Sequence, residues 1–222
     1  MATNYRSQPC IRPKQLIIIL LLWLTAVVSA PLPAAAEPFS QSAQWELYFS
    51  PKGGATKAVV NTLNQARQSI LVQAYSFTSA PIAKALVQAH KRGVKVEVIL
   101  DKSQRSKKYS SADFLVNAGI PTYIDAAHAI AHNKVMIIDD QTVITGSFNF
   151  TRAAEERNAE NLLIIQDTRL ALRYLENWRQ HAEHSEKYVG KQVPGRQPVG
   201  ESDGMLDRMM NFLEKELGGT QR

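Results

Sequence analysis

The order of apolar and polar positions in the first half of the chain predicts strands that alternate with helices. Residues 45–50 (WELYFS), 69–76 (SILVQAYS) and 94–100 (VKVEVIL) are short runs with the alternating or β-branched character of strands. Residues 55–68 carry apolar side chains at helical spacing, and a second helix fits between Ser79, a capping residue, and Gly93. Strand–helix–strand units at this spacing favour parallel strands covered by helices. We therefore predict an α/β fold, with a largely parallel mixed β-sheet flanked by helices on both faces.

The α/β pattern continues through the second half of the chain to about residue 187. Residues 113–118 predict a short helix and residues 122–124 a short strand. Two apolar, β-branched runs, 134–139 (KVMIID) and 142–145 (TVIT), flank Asp140-Gln141 and predict a strand–turn–strand hairpin. The predicted domain is completed by a helical stretch near residues 153–157, a strand at 161–166 (NLLIIQ) and a helix from residue 168 onwards.

The two ends of the chain differ in character from this domain. Residues 1–14 are polar and cationic, and residues 16–28 form an apolar run shorter than the roughly 20 residues of a membrane span. With Ala34-Ala35-Ala36 after it, this run predicts a signal peptide over residues 1–36, cleaved before Glu37. An uncleaved N-terminal membrane anchor is the alternative, and either segment would export the protein, to the periplasm or out of the cell.

The predicted folded domain covers residues 37–189, and a different kind of segment covers residues 190–222. It begins with a Gly- and Pro-rich linker and continues with a short amphipathic helix at about 205–217. That helix could dock on a partner or fold back on its own domain.

The charge balance suits a polyanionic partner without identifying one. The chain has 26 Lys and Arg against 20 Asp and Glu, a net charge of +6. Three of the cations precede residue 37, where there are no acids, so the remainder carries 23 − 20 = +3. A mildly basic domain is consistent with nucleic acid as a substrate. The single cysteine, Cys10, excludes an intramolecular disulfide.

The strongest chemical signal lies in residues 132–149, HNKVMIIDDQTVITGSFN, which follow the pattern H-x-K-x4-D-x6-G-S-x-N. Six fixed residues would match by chance at a given start about once in 10^7 to 10^8. Residues two apart on a strand point the same way, so His132 lies with Lys134, and Ser147 with Asn149. An imidazole, an ammonium, a hydroxyl and an amide at the ends of two strands would form a pocket rich in hydrogen-bond donors. Such a pocket suits a phosphate diester.

This stretch resembles the HKD motif of the phospholipase D superfamily. The segment that follows it, FTRAAEERNAENLLII, resembles the bacterial single-motif endonucleases of that superfamily, and the similarity covers about residues 44–188. The resemblance implies a phospholipase D-like α/β/α sandwich. It also implies a phosphodiester hydrolase that works through a covalent phosphohistidine intermediate, with no metal and no other cofactor.

The resemblance also implies roles for individual side chains. His132 would be the nucleophile, Lys134 and Asn149 would bind the non-bridging phosphate oxygens, and Ser147 would add a hydroxyl to them. Glu160, in the segment N-A-E-N, matches the family's glutamate that orients the histidine ring. Its neighbours Glu155 and Glu156 are rivals for that role, because the sequence alone does not place them. Asp139 belongs to the motif, and we expect it to have a structural role at the hairpin.

The family's mechanism uses two histidines on opposite sides of the phosphorus, whereas this chain holds one motif. A two-fold axis would place His132 opposite its own copy, so we predict a homodimer with a shared active site. The alternative is a monomer in which another residue, such as His128, acts as the acid.

Two further groups of charged or metal-ligating residues are open to more than one interpretation. Residues 101–109 (DKSQRSKKY) follow a predicted strand and carry four cations, which either bind the substrate's phosphates or form an ordinary solvated charge run: Lys102, Arg105, Lys107 and Lys108. His181 and His184 lie three apart on the last predicted helix. We expect a solvated helix face there and no metal site, because no cluster of carboxylates and histidines accompanies them.

The leading functional prediction is an exported, metal-independent endonuclease that hydrolyses DNA or RNA with little sequence preference. The alternative enzyme is a phospholipase D that acts on phospholipid headgroups and shares the same pocket. A catalytically silent nucleic-acid-binding module is the third reading, and the intact motif argues against it.

Overall fold

The computed structural model describes residues 36–107 and 110–190, and its folded unit begins at Phe39. The predicted signal peptide up to residue 35, Lys108 and the predicted C-terminal helix lie outside the described residues. Within the two described ranges, no helix has the length and apolar character needed to cross a membrane.

Strands and helices alternate along the described chain close to the predicted positions. The strands are β1 (Gln44–Ser50), β2 (Ser69–Ala74), β3 (Lys95–Asp101), β4 (Thr122–Asp125), β5 (Lys134–Ile138), β6 (Thr142–Gly146), β7 (Glu160–Gln166) and β8 (Glu186–Lys187). The helices are α1 (Ala55–Gln65), α2 (Ala80–Lys91), α3 (Ala112–Asn117), α4 (Arg152–Glu156) and α5 (Thr168–His184), and a 3-10 turn covers Lys102–Arg105.

The eight strands form one mixed sheet in the order β1-β7-β6-β5-β2-β3-β4-β8. The predicted α/β class, a mixed sheet flanked by helices, is confirmed. The parallel share is smaller than predicted, because only β2–β3 and β3–β4 pair in parallel among the described strands. Those strands are joined by helical crossovers, whereas β5 and β6 form a hairpin and β6, β7 and β1 pair antiparallel.

Apolar layers cover both faces of the sheet. Residues of α1, α2, α3 and α4 pack on one face around Leu63, Leu86 and Leu115. Helix α5 packs on the other face, where Leu175 and Trp178 meet Ile137 of β5 and its neighbours. The strands between these layers are therefore fixed from both sides, and polar side chains reach solvent at the strand ends.

The hairpin turn between β5 and β6 lies one residue earlier than predicted. Asp139 and Asp140 have positive φ angles of 52° and 54°. The amide of Gln141 donates to the carbonyl of Ile138 at 3.1 Å, which closes the turn around these two residues. Aspartate tolerates this backbone region better than most side chains do.

The Asp139 carboxylate binds the loop that precedes β2. It accepts from the backbone N–H groups of Arg67 at 2.9 Å, Gln68 at 2.7 Å and Ser69 at 2.9 Å. Asp139 follows β5, whereas Lys134 begins it, so this carboxylate lies at the end of the strand away from the predicted pocket. It holds the fold together and does not reach the site with which the motif groups it.

One edge of the sheet collects the motif residues. Because β5 runs antiparallel to β2, Lys134 at its start pairs with Ala74 at the end of β2. Gly146 at the end of β6 pairs with Leu162 near the start of β7. The carboxyl ends of β3 and β4 lie at this edge as well, since both strands are parallel to β2.

Candidate active site

The backbone on both sides of His132 is held by hydrogen bonds. The N–H of Tyr75 donates to the carbonyl of Asn133 at 2.8 Å. The N–H of Ala131 donates to the buried carboxylate of Asp101 at 2.9 Å. Burial raises the pKa of Asp101, but hydrogen bonds from Ser103 and Ala131 outweigh it, so the pKa lies below its usual value. Asp101 therefore remains an anion that holds the backbone just before His132.

Lys134 is buried, with 6% of its surface exposed, and its ammonium lies beside His132. Nζ donates to the carbonyl oxygen of His132 at 2.8 Å and lies 3.0 Å from Nδ1 of the same residue. The Tyr75 ring centroid is 5.2 Å from Nζ, within cation–π range. Burial lowers the pKa of Lys134, and the negative charge of Glu160 opposes that shift. The result is a preorganised cation in a partly desolvated position.

The His132 ring is exposed and packs against Tyr75, with 4.5 Å between ring centroids. An ammonium can only donate, so in this contact Nδ1 offers its lone pair to Lys134. The neutral ring then carries its proton on Nε2. A phosphate that took over the Lys134 donors would release Nδ1.

Ser147 is placed by a close approach between β6 and β7. Its hydroxyl oxygen accepts from the backbone N–H of Asn161 at 3.1 Å and lies 3.4 Å from Asn161 Nδ2. Both contacts use the oxygen as acceptor, so the O–H hydrogen of Ser147 remains available to a ligand. The preceding residue has to be glycine: Gly146 has φ 144°, and a Cβ there would lie 2.3 Å from the Asn161 carbonyl oxygen.

Asn149 completes the set and leaves a polar atom without a partner. Phe148 and Phe150 are fully buried in the core, so the residues that alternate with them, Ser147 and Asn149, face away from it. Oδ1 of Asn149 is buried and has no hydrogen-bond partner among the described residues. An unpaired buried acceptor is unfavourable by about 1–3 kcal/mol, and a phosphate oxygen, itself an acceptor, would bind the NH₂ group of this amide and not Oδ1.

The three candidate glutamates have separate roles in the structure. The Glu155 carboxylate accepts from the N–H groups of Gly54 at 3.0 Å and Thr56 at 2.7 Å, at the start of α1. Glu156 forms an ion pair with Arg152 at 2.6 Å. Neither glutamate is therefore directed at His132.

Glu160 is the glutamate whose charge acts on Lys134, but it does not bond to the histidine ring within one chain. Its carboxylate accepts from Asn158 Nδ2 at 3.0 Å, and among the described residues the ring nitrogen partner of His132 is Lys134. Within the described residues of one chain Glu160 therefore makes no contact that orients the ring, and this role stays a prediction.

The predicted basic loop is mostly engaged in contacts with the protein. Lys102 Nζ donates to the His128 carbonyl at 2.9 Å, and Arg105 pairs with Glu186 at 2.6 Å. Lys107 is exposed and reaches Ser76, the residue after Tyr75, with Nζ 3.4 Å from the hydroxyl oxygen. Of the described cations of this loop, Lys107 is therefore the one beside the His132 pocket.

Three other histidines that the sequence singled out meet away from His132. His128 bonds to the Asp125 carboxylate at 3.1 Å and makes no contact with His132 among the described residues, so its role as the acid of a monomer stays an untested alternative. His181 and His184 also approach Asp125, with nitrogen–oxygen distances of 2.7 and 3.3 Å. The expectation that no carboxylate–histidine cluster accompanies them is therefore wrong, whereas His184 is exposed, as expected of a solvated helix face.

The structure thus brings His132, Lys134, Ser147 and Asn149 together at one edge of the sheet and adds residues that the motif did not indicate. Tyr75 supports the His132 ring, Asp101 holds the loop before it, and Asn161 positions Ser147. Tyr75 and Asp101 each lie at or just past a strand's carboxyl end, which is the signal that could have identified them.

Known proteins resemble this chain over the same region. A family model described as "Cardiolipin synthase, PLD-like domain" matches residues 59–182. A phospholipase D of Rickettsia conorii is 51% identical over 130 residues, which are 59% of this chain and 65% of the rickettsial protein. A mitochondrial cardiolipin hydrolase of mouse is 34% identical over 120 residues, or 54% of each chain.

The fold also matches a solved structure. A crystal structure of Nuc from Salmonella typhimurium, described as a phospholipase D family member, superposes with a TM-score of 0.64 and 39% identity. The match covers 66% of this chain and 99% of Nuc. The region matched by the family model includes the hairpin that carries His132 and Asn149.

Proposed function

This chain belongs to the phospholipase D superfamily, and we propose that it is an exported, metal-independent endonuclease that hydrolyses DNA or RNA phosphodiester bonds. The observation that carries the proposal is the placement of His132, Lys134, Ser147 and Asn149 at the same end of the β5–β6 hairpin. The chain spans only 63–65% of the length of the rickettsial relatives, so the activity of those whole proteins is not by itself evidence of its own.

The side chains divide the reaction between them. A neutral His132 attacks phosphorus, and a phosphorus–nitrogen bond forms as the bond to the leaving ester oxygen breaks. A second, protonated histidine gives its proton to that oxygen, then removes a proton from water, whose oxygen displaces His132 from phosphorus. Lys134, Ser147 and the Asn149 amide donate to the non-bridging oxygens, where negative charge builds up.

The second histidine comes from a second copy of the chain in this proposal. β1 is an edge strand of the sheet. Its alternate residues Trp45, Leu47 and Phe49 share one face of the strand, and all three are exposed. This apolar strip runs towards Ser50, which pairs with Glu160 at the active-site edge. A copy seated on the strip would bury it and bring its own His132 towards the first.

Nucleic acid is the proposed substrate because of charge at the pocket and of the resemblance to the single-motif endonucleases. Lys107 reaches the hydroxyl group of Ser76, the residue that follows Tyr75, and the chain after residue 36 has a net charge of +3. Export is proposed from the cationic start, the apolar run of residues 16–28 and the Ala34-Ala35-Ala36 site.

A phospholipase D activity on lipid headgroups is the second candidate. Two relatives are named for lipid substrates, the phospholipase D of Rickettsia conorii and the mouse cardiolipin hydrolase. Ile130, two residues before His132, is 56% exposed, and an aliphatic side chain there suits a lipid better than a polyanion.

The substrate test exposes the purified protein to labelled DNA, RNA and phosphatidylcholine vesicles in a buffer with EDTA. We expect cleavage of nucleic acid by the wild type and none by His132→Ala. Efficient turnover of phosphatidylcholine with intact DNA and RNA would favour the phospholipase and overturn the nuclease.

Lys107→Ala should weaken DNA binding and flatten its salt dependence. An unchanged salt slope would mean that Lys107 does not contact the phosphates of bound DNA.

The shared site is tested by subunit mixing. Wild type and His132→Ala are refolded together in equal amounts, so about a quarter of random dimers contain two intact histidines, whereas independent monomers keep about half of the activity. Activity that falls in proportion to the mutant fraction, or an active monomer in sedimentation, would refute the dimer.

N-terminal sequencing of protein from a bacterial periplasmic fraction tests export: a start at Glu37 supports it, and an intact Met1 on membrane-bound protein indicates an anchor instead.

A further inference from the structure

Four side chains of metal-ligating type meet beyond the end of β4. Asp125 ends β4, His128 follows in the next loop, and His181 and His184 come from the last turn of α5. One oxygen or nitrogen atom from each residue lies within 4.8 Å of those from the other three. The Asp125 side chain is 0% exposed and His181 is 14% exposed, whereas the other two histidines reach solvent.

Three imidazole nitrogens converge on a single carboxylate oxygen. Oδ2 of Asp125 lies 2.7 Å from His181 Nδ1, 3.1 Å from His128 Nδ1 and 3.3 Å from His184 Nε2. One carboxylate oxygen has about two lone-pair sites, so three donors exceed what Oδ2 can serve as an ordinary acceptor. The rings also face one another, with centroids 4.8 to 5.4 Å apart, so they would repel if all were protonated.

We propose that Asp125, His128, His181 and His184 bind a structural Zn²⁺ ion. A cation at the centre would accept a lone pair from each imidazole nitrogen and from the carboxylate. The three nitrogens would then no longer compete as donors for the lone pairs of Oδ2. Zinc bonds to imidazole nitrogen and carboxylate oxygen are about 2.0–2.2 Å long, which places ligand atoms about 3.3–3.5 Å apart in a tetrahedron. The observed spacing, up to 4.8 Å, reaches that geometry through shifts of about 1 Å. Four protein ligands fill a tetrahedral zinc ion, as in structural and not in catalytic sites.

The position of the site indicates what the ion stabilises. Residues 126–133 connect β4 to β5, and His132 lies near the end of this loop. The zinc ion would join the start of the loop to α5, while Asp101 holds the loop at Ala131. β4 and β5 are three strand spacings apart in the sheet, about 14 Å, so the ion lies outside the phosphate pocket. The proposed hydrolysis therefore uses none of the four zinc ligands, and the ion would act only by fixing the start of the loop that leads to His132.

The test measures bound zinc and thermal stability on the whole chain. The protein is stripped with EDTA, dialysed into metal-free buffer, and titrated with Zn²⁺ or, as a control, Mg²⁺. We expect one equivalent of zinc by elemental analysis and a midpoint of thermal unfolding about 5–10 °C higher when zinc is a hundredfold above its dissociation constant. Mg²⁺ should change neither. Co²⁺ in place of zinc should give the visible absorption of a tetrahedral complex.

Matched variants locate the ion. His184→Gln removes a partly exposed ligand, and His128→Gln does the same in the loop if the first variant folds poorly. Each should weaken zinc binding about 100-fold or more. His90→Gln, on α2, leaves the four ligands in place and should bind zinc as the wild type does. The proposal is wrong if zinc neither stays bound nor raises the unfolding midpoint. It is also wrong if His184→Gln and His128→Gln bind zinc as tightly as His90→Gln.

Discussion

Glu155→Gln separates a helix-capping role from a catalytic one, because the structure assigns this carboxylate to the start of α1. Helix α1 has no acidic residue in its first turn and no side-chain cap of its own. Glu155, from α4, supplies both the negative charge and the side-chain cap, because its carboxylate accepts from the N–H groups of Gly54 and Thr56. Glutamine keeps one acceptor oxygen, loses the charge, and presents an NH₂ group to the second N–H.

The size of the effect follows from those two contacts. Each hydrogen bond contributes about 1 kcal/mol net, and a charge at a helix N-terminus adds about 0.3–1 kcal/mol. Since one bond and the charge are lost, we expect Glu155→Gln to lower the free energy of unfolding by about 1–2 kcal/mol. That corresponds to about 2–8 °C in the unfolding midpoint for a domain of this size. Turnover per folded molecule should be unchanged.

Glu160→Gln is the matched control, because it removes the same charge five residues away. The charge of Glu160 raises the pKa of Lys134 and so favours the ammonium form that binds phosphate. Its removal should therefore reduce kcat at least tenfold, while the unfolding midpoint stays within about 2 °C. The two variants are compared by urea denaturation and by hydrolysis of a chromogenic phosphodiester. Loss of turnover by Glu155→Gln at unchanged stability would refute the assignment and return Glu155 to the active site.

Three further changes test other parts of the structure. Gly146→Ala should lower the free energy of unfolding by about 3 kcal/mol and reduce kcat/KM, because the new Cβ would meet the Asn161 carbonyl at 2.3 Å; normal stability in urea would contradict this geometry. Asp139→Ala leaves three N–H groups without their acceptor and should lower stability by about 1–2 kcal/mol with normal turnover per folded molecule, whereas lost turnover would place Asp139 in catalysis. Asp101 has a folded pKa below its unfolded value of about 3.9, so its contribution is present above that pH and lost as pH falls through the folded pKa. The difference in unfolding free energy between wild type and Asp101→Asn should therefore shrink below about pH 4, and a constant difference would mean that the carboxylate is not the cause.

The parts of the site that the sequence could predict are those that one hairpin brings together. His132 and Lys134 precede or begin β5, and Ser147 and Asn149 follow β6, so strand periodicity alone places them on common faces. The hairpin is a local structure, and its strand bounds were predicted to within a residue or two. Only the turn was displaced, because two aspartates with positive φ take the place expected of Asp140-Gln141.

Features that depend on distant residues were not predictable in this way. His181 and Asp125 are 56 positions apart, so the histidine cluster becomes visible only when α5 packs beside β4. Similarly, the sequence of an apolar strand does not show which strand it pairs with. β5 pairs antiparallel with β2, so the sheet is less parallel than the strand–helix–strand units suggested. Glu155 and Glu160 differ by five positions, and only the fold directs one to α1 and the other towards Lys134.

The pairing of β1 with β7 joins two strands that lie far apart in the chain. Gln44 pairs with Gln166, so this contact closes a loop of more than a hundred residues, and such closures are the slow ones in folding. We therefore expect β1, the first of the described strands, to be placed late. Until it pairs, β7 is an open edge that carries Leu163 and Ile165 and can pair with another chain. Refolding should therefore lose yield as protein concentration rises, and a chain that lacks β1 should aggregate even though its HKD hairpin is intact.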